Sequence, residues 1–144
     1  MVPWVRSTVT GRAGLAGAAG GGGGGGGPPQ SAGTAAAAGE LIMAASRGGA
    51  RVVAGTDTPN PLNLHAELLG YVAAGMSPFE ALQSATTTPA AALGLDAGSI
   101  EPGKLADLVA VEGNPLEDIA HARRVRWTIA NGLMYRVADL VKDR

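Results

Sequence analysis

The amino-acid sequence predicts an α/β fold that ends in a β-hairpin, and three observations support this class. Residues 40–46 have the composition of a helix, and Gly48-Gly49 ends it. Residues 51–54 form a short, mostly apolar run typical of a buried parallel strand. Asn131-Gly132 lies between two short apolar runs and is the strongest short hairpin signal. A helix, a glycine turn and a buried strand that ends in polar residues is the alternation of α/β proteins.

The first 38 residues are of low complexity and are predicted to be disordered. Glycine fills positions 20–27, and Pro28-Pro29 and an alanine run at 35–38 follow. Glycine loses the most backbone freedom on folding, and this stretch has few large side chains to offset that cost. A glycine loop that binds phosphate needs a strand before it and a helix with Lys-Ser or Lys-Thr after it. Neither is present, so the flexible linker is the favoured interpretation.

Composition limits the classes of partner and site. Lys plus Arg is 11 and Asp plus Glu is 12, a formal net charge of -1, which gives no electrostatic reason to expect nucleic acid or an acidic membrane. There is no cysteine, so any metal must be held by His, Asp or Glu. No apolar run approaches the ~18 residues that span a bilayer. We expect a cytoplasmic protein without nucleic-acid or membrane partners.

Three helices are predicted after the buried strand. The first spans residues 62–74, where large apolar residues recur with helical spacing. Ser77 and Glu80 have the spacing of a capping box and open the second helix, which runs to about residue 86. The third begins at a Thr88 cap and is closed by Gly94.

The pattern changes to strands near residue 99. Residues 101–104, with Pro and Gly at the central positions, predict a type II turn. A strand follows over residues 105–111, interrupted by Asp107. The hairpin strands are predicted at 125–130 and 133–136, and the tail at 137–144 either forms a short helix or frays.

In this order the segments resemble the end of the amidohydrolase superfamily, in its imidazolonepropionase-like and prolidase-like branch. Residues 78–90 are similar to the P-x-E-A-L-x-x-A-T-x-x-P-A run of that branch. Residues 98–109 are similar to its G-S-I-x-P-G-K-x-A-D-L-V signature. Gly-Asn-Pro-Leu at 113–116 and Ile-Ala-Asn-Gly at 129–132 complete the resemblance, which covers roughly residues 39–136.

The resemblance implies a (β/α)8 barrel and a small composite β-sandwich built from both ends of the chain. Residues 39–97 would then be the C-terminal part of the barrel, with residues 53–57 at the end of its eighth strand. Residues 98–144 would be part of the sandwich. A barrel of this type takes about 250 residues, so most barrel strands and the amino-terminal strands of the sandwich are expected to be missing.

The resemblance also implies one or two divalent metal ions, usually zinc, and an Asp ligand after the eighth strand. Asp57 occupies that position and is the candidate catalytic residue and metal ligand. A carboxylate beside a hydrolytic metal can orient the attacking water and accept its proton. The alternative is a turn-forming Asp. His65 either contacts substrate at the mouth of the site or is an ordinary histidine on the first turn of its helix.

The two histidines cannot complete a metal site. A catalytic zinc site usually has three protein ligands, whereas His65 and His121 are far apart in the chain and no H-x-H pair is present. His121 is predicted to face solvent. Lys104 and Asp107 are predicted to be structural, with Asp107 bonded to nearby backbone or to a basic side chain.

The remaining arginines and aromatic residues are also predicted to be structural. The basic group consists of Arg123, Arg124 and Arg126, expected on a solvated face or paired with Glu117 and Asp118. Trp127 and Tyr135 are expected as core or cross-strand residues of the hairpin.

These expectations combine into two functional hypotheses. In the first, the protein is an amidohydrolase-family hydrolase acting on carbon–nitrogen bonds of small amides, cyclic amides or dipeptides through metal-activated water. The chain would be truncated and inactive alone, and would associate with a chain that supplies the rest of the barrel. In the second, it is a non-catalytic remnant or interaction module of the same fold.

Overall fold

The computed structural model describes residues 5–6, 32–56 and 63–140, which form a helical unit followed by a four-stranded antiparallel sheet. The helices are α1 (Ala32–Arg47), α2 (Asn63–Ala73), α3 (Pro78–Ser84), α4 (Thr87–Leu93) and α5 (Val137–Leu140), and a 3-10 helix spans Ile119–Arg123. The strands are β1 (Val5–Arg6), β2 (Leu108–Val111), β3 (Val125–Ala130) and β4 (Leu133–Arg136). No helix in these ranges is long and apolar enough to cross a membrane. The predicted α/β class is confirmed.

The core lies between α2, α3 and the 3-10 helix. Its buried members share apolar side chains and are Leu68, Tyr71, Met76, Ala81, Leu82 and Ile119. The predicted apolar stripe of α2 supplies Leu68 to this cluster, and Tyr71, three residues later, lies on the same face. Burial raises the pKa of the Tyr71 hydroxyl, and the charge of Glu67 raises it further. Burial of these side chains is the main force that holds the helical unit together.

The amino-terminal segment contains more structure than the sequence predicts. Helix α1 begins at Ala32, within the range expected to be disordered, because its alanines have the highest helix propensity. Strand β1 pairs with β2, with Val5 opposite Ala110. The expectation that all amino-terminal strands of the sheet are missing is therefore wrong. The glycine run at 20–27 lies outside the described residues.

The helix boundaries follow local capping rules with one exception. The predicted capping box is present: Glu80 N donates to Ser77 Oγ at 3.2 Å, and Ser77 N donates to Glu80 Oε2 at 2.8 Å. The hydrogen bonds from Ser77 lower the pKa of the Glu80 carboxyl. Gly94 closes α4 with φ 64°, as predicted. The α4 cap is not Thr88 but Thr86, whose hydroxyl donates to the Leu82 carbonyl at 2.7 Å and so makes no capping bond.

The predicted strand at residues 51–54 has no regular secondary structure. Its burial nevertheless alternates: Val52 and Ala54 are half-buried against the helical core, whereas Val53 is exposed. This period of two is that of an extended chain. A strand is defined by its hydrogen-bonded neighbours, and no other strand of the described residues lies beside this segment. The prediction of a regular strand is therefore wrong within the described part of the chain.

The sheet has the order β1-β2-β3-β4, and the predicted hairpin is confirmed. Asn131 and Gly132 have φ of 51° and 81°, the conformation that a two-residue type I′ turn requires. Strand β2 begins later than predicted because the residues before it bond elsewhere. Leu105 N donates to the Asp96 carbonyl at 2.8 Å, and Asp107 accepts from the hairpin turn.

Two glycines in the 98–104 segment adopt positive φ for different reasons. Gly103 has φ 89° in the predicted type II turn, and Lys104 N donates to the Glu101 carbonyl at 3.3 Å. Gly98 has φ 85°, and a Cβ there would lie 2.6 Å from the Thr86 carbonyl oxygen. Only Gly98 therefore needs both its backbone conformation and its missing side chain.

We predict that Ser77→Ala destabilises the protein by about 1 kcal/mol, because both bonds of the capping box are lost. Urea denaturation monitored by circular dichroism measures the change. Ser46→Ala is the matched control, since the Ser46 side chain makes no hydrogen bond among the described residues, and should stay within about 0.5 kcal/mol of the parent. Equal effects of the two substitutions would contradict the prediction.

We also predict that Gly98→Ala costs more stability than Gly103→Ala. Both substitutions place alanine at positive φ, which costs about 1 kcal/mol, but only the Cβ at position 98 meets neighbouring atoms. The clash should add about 1–3 kcal/mol, measured as the difference between the two variants in urea denaturation. The steric argument fails if Gly103→Ala is equally or more destabilised.

Candidate functional site

The residues that lead to the predicted catalytic carboxylate lie on the helical core. Asp57 itself lies outside the described residues, which end before it at Thr56. Ala54 N donates to the Ser84 carbonyl at 2.8 Å, at the end of α3, and Val52 and Ala54 pack against the core cluster. The approach to Asp57 is therefore held by one backbone hydrogen bond and by apolar packing. Sequence reasoning did not single out Ser84, since a backbone acceptor leaves no signal in the sequence.

His65, the second candidate, lies on the first turn of α2 and is partly buried. Its Nδ1 is buried and has no hydrogen-bond partner among the described residues. Burial lowers the pKa of His65, and the positive charge of Arg123 lowers it further. The neutral form is favoured, and neutral imidazole can accept a hydrogen bond or coordinate a metal.

The described residues do not hold a metal ion by themselves. In the ranges 5–6, 32–56 and 63–140, no three His, Asp or Glu side chains come together in a group that could ligate one. His65 therefore has no second or third ligand within this part of the chain. Asp57 is the one predicted ligand, and it lies outside these ranges.

His121 does not face solvent, contrary to the sequence prediction. It is partly buried, and its Nδ1 lies 3.2 Å from the backbone N of Asn114 and 3.1 Å from the Asn114 carbonyl oxygen. A Cβ at Gly113, whose φ is 95°, would lie 2.8 Å from the His121 ring. The ring therefore packs over the glycine, and the Gly-Asn-Pro-Leu segment has a structural role here.

Lys104 and Asp107 are structural, as predicted. Lys104 Nζ donates to Ser99 Oγ and to Glu101 Oε1, and the hydrogen bonds from Ser99 and then Lys104 lower the pKa of Glu101. Asp107 Oδ1 accepts from Asn131 N at 2.6 Å. These bonds stabilise the type II turn and the hairpin turn.

The arginine group does not pair as predicted. Arg126 bonds to Glu112, with a shortest N–O distance of 3.0 Å. Glu117 instead accepts from Asn114 Nδ2 at 2.9 Å, and Asp118 caps the 3-10 helix through Ala120 N. The predicted acidic partners are occupied by the turn before β3.

The aromatic residues of the hairpin are cross-strand residues, one of the two predicted roles. Trp127 lies opposite Arg136, whose guanidinium is 5.9 Å from the indole centroid, a cation–π distance. Tyr135 lies opposite Thr128. An open groove of about 530 Å³ is lined by Trp127, Arg136 and neighbouring residues of β3 and α5. The lining includes neither His65 nor residues 51–56, so the groove is separate from the candidate site.

Comparison with known proteins identifies the fold around this site. The sequence model of the Amidohydrolase family matches residues 36–134. The chain belongs to the amidohydrolase family. It is 37% identical over 82 residues to ochratoxinase from Aspergillus niger, and the match covers 52% of this chain and 16% of ochratoxinase.

Solved structures agree with this assignment. A Xaa-Pro dipeptidase with bound methionine is 38% identical with a TM-score of 0.64, over 68% of this chain and 25% of the dipeptidase. A putative prolidase from Bifidobacterium longum is 36% identical with a TM-score of 0.58, over 67% of this chain and 27% of the prolidase. The chain thus spans about a quarter of these structures, and it covers part of an amidohydrolase fold.

We predict that His65 makes the stability of the protein depend on pH. The pKa of folded His65 lies below 6.5, so between the two values the unfolded chain binds more protons than the folded one. The contribution is complete above the unfolded value and is lost as the pH falls through the folded value. The midpoint of urea denaturation should decrease from pH 7 to pH 5, and His65→Gln should reduce that decrease. The same decrease in both proteins would contradict the prediction.

Proposed function

We propose that the protein is a hydrolase that acts on a carbon–nitrogen bond of a small amide, cyclic amide or dipeptide. Its membership of the amidohydrolase family supports the reaction class. The similarity to a Xaa-Pro dipeptidase and a prolidase supports a substrate of this size. In this proposal Asp57 is the catalytic carboxylate and a ligand of a divalent metal, for which zinc is our choice.

The anchoring of residues 51–56 is the observation that carries the proposal. Ala54 N–H is bonded to the Ser84 carbonyl, and Val52 and Ala54 contact the buried cluster. A catalytic group needs a support whose position is set by packing and hydrogen bonds. The next residue after this anchored segment is Asp57. Polar residues at the carboxyl end of a buried strand are the usual catalytic positions in α/β folds.

We further propose that the remaining ligands lie outside these 144 residues and that the chain alone is inactive. A catalytic zinc site usually needs three protein ligands, and the described residues bring no such group together. His65 is placed as a substrate-contacting residue, because its buried Nδ1 has no partner among the described residues. Association with the missing part of the barrel would supply the other ligands.

We predict that a chimera restores the activity that the chain alone lacks. In the Xaa-Pro dipeptidase, residues 39–136 of this chain would replace the matching region. The chimera should bind zinc stoichiometrically and hydrolyse Xaa-Pro dipeptides or cyclic amides, whereas the 144-residue chain should do neither. Asp57→Asn should lower kcat/KM of the chimera at least ~100-fold, the range expected for loss of a catalytic base.

Asp96→Asn is the matched control, because Asp96 is exposed and its carboxylate has no hydrogen bond or ion pair in the described structure. It should leave kcat/KM unchanged. A folded chimera that binds zinc but has no hydrolytic activity would favour the non-catalytic interaction module. Full activity of the Asp57→Asn chimera would exclude Asp57 as the catalytic residue.

A further inference from the structure

The segment that precedes Asp57 uses only one of its two edges. In an extended chain, the N–H groups of alternate residues point to opposite sides. Ala54 N–H bonds to the Ser84 carbonyl at 2.8 Å, so one edge lies against the end of α3. The N–H groups of Val53 and Gly55 belong to the other edge and have no partner among the described residues.

The side chains on this segment are divided in the same way. Val52 and Ala54 pack against the helical core, whereas Val53 is 45% exposed. A free edge with an exposed β-branched residue and no proline or lysine is a template for pairing with another strand. The apolar composition of residues 51–54, with helices covering one face, is that of a strand in a parallel sheet.

We propose that the Val53–Gly55 edge docks a parallel β-strand from the part of an amidohydrolase chain that these 144 residues do not cover, an inference that rests on the proposed function. The occupant is indicated by the solved relatives, since this chain covers only 25% and 27% of two structures that share its fold. The rest of such a chain is the partner whose strands fit an apolar parallel edge beside helices. Main-chain hydrogen bonds would supply the affinity, as in other cases of strand addition.

The test mixes the full 144-residue chain with the remainder of the Xaa-Pro dipeptidase, produced as a separate polypeptide without metal or substrate. Size-exclusion chromatography with light scattering measures the complex. Hydrogen exchange measures protection of residues 51–56. We expect a one-to-one complex in which the Val53 and Gly55 amides exchange at least ~10-fold more slowly, because only paired amides are protected.

Substitutions at exposed positions separate this edge from nonspecific apolar contact. Val53→Asp should weaken the complex at least ~10-fold, since a carboxylate would be buried beside an apolar strand. Leu41→Asp, on the exposed face of α1, should leave it unchanged. Val53→Thr keeps the branched shape and should bind like the parent. Thermal unfolding of each variant alone checks that it is folded.

Three outcomes would overturn the proposal: no complex, a complex without protection at residues 51–56, or self-association of this chain through the same amides. Asp57→Asn should form the complex normally, because the docking edge does not include the carboxylate. A complex without hydrolytic activity after zinc is added would count against the proposed function alone. Absence of a complex would count against the docking edge alone, since the chimera tests the function independently.

Discussion

The contact between α2 and the 3-10 helix is the interaction on which the rest of the structure depends. Leu68 and Tyr71 on α2 meet Ile119 in the buried cluster, and β3 begins just after the 3-10 helix ends. This one apolar contact therefore joins the helical unit to the sheet. Residues 51–56 pack against the same cluster, so the position of the candidate site and the position of the sheet have a common support.

The family motifs in this chain mainly encode this framework. Glu80 completes a capping box, Gly98 allows close approach to Thr86, and Asp107 accepts from the hairpin turn. None of these contacts requires a substrate or a metal. The family match thus establishes the fold, while the proposal for catalysis rests on a residue that precedes both of the longer motifs.

The sequence could predict the features that depend on neighbours in the chain. The capping box, the Gly94 helix end and the Asn131-Gly132 hairpin follow from local backbone rules, and all three are present. The family and part of its fold could also be predicted, because long motifs combine many such rules. The identification of Asp57 stays a prediction.

Features that depend on distant parts of the chain could not be predicted in the same way. A regular strand at residues 51–54 requires a neighbouring strand, which the described residues do not supply. His121 was expected in solvent because it lies in a basic stretch, but Gly113 leaves space for its ring. The pairing of β1 with β2 has no local signal, since two residues carry too little pattern to indicate a strand.

The pairing of Val5 with Ala110 has a consequence for the order of folding. More than a hundred residues separate the two partners, so closing this loop has a large entropic cost before any contact is gained. The helical unit and the hairpin are each built from contacts close in sequence, and such contacts form early. Strand β1 should therefore join a sheet that is already complete at its other edge. Its two residues contribute more to slow unfolding than to the folding nucleus.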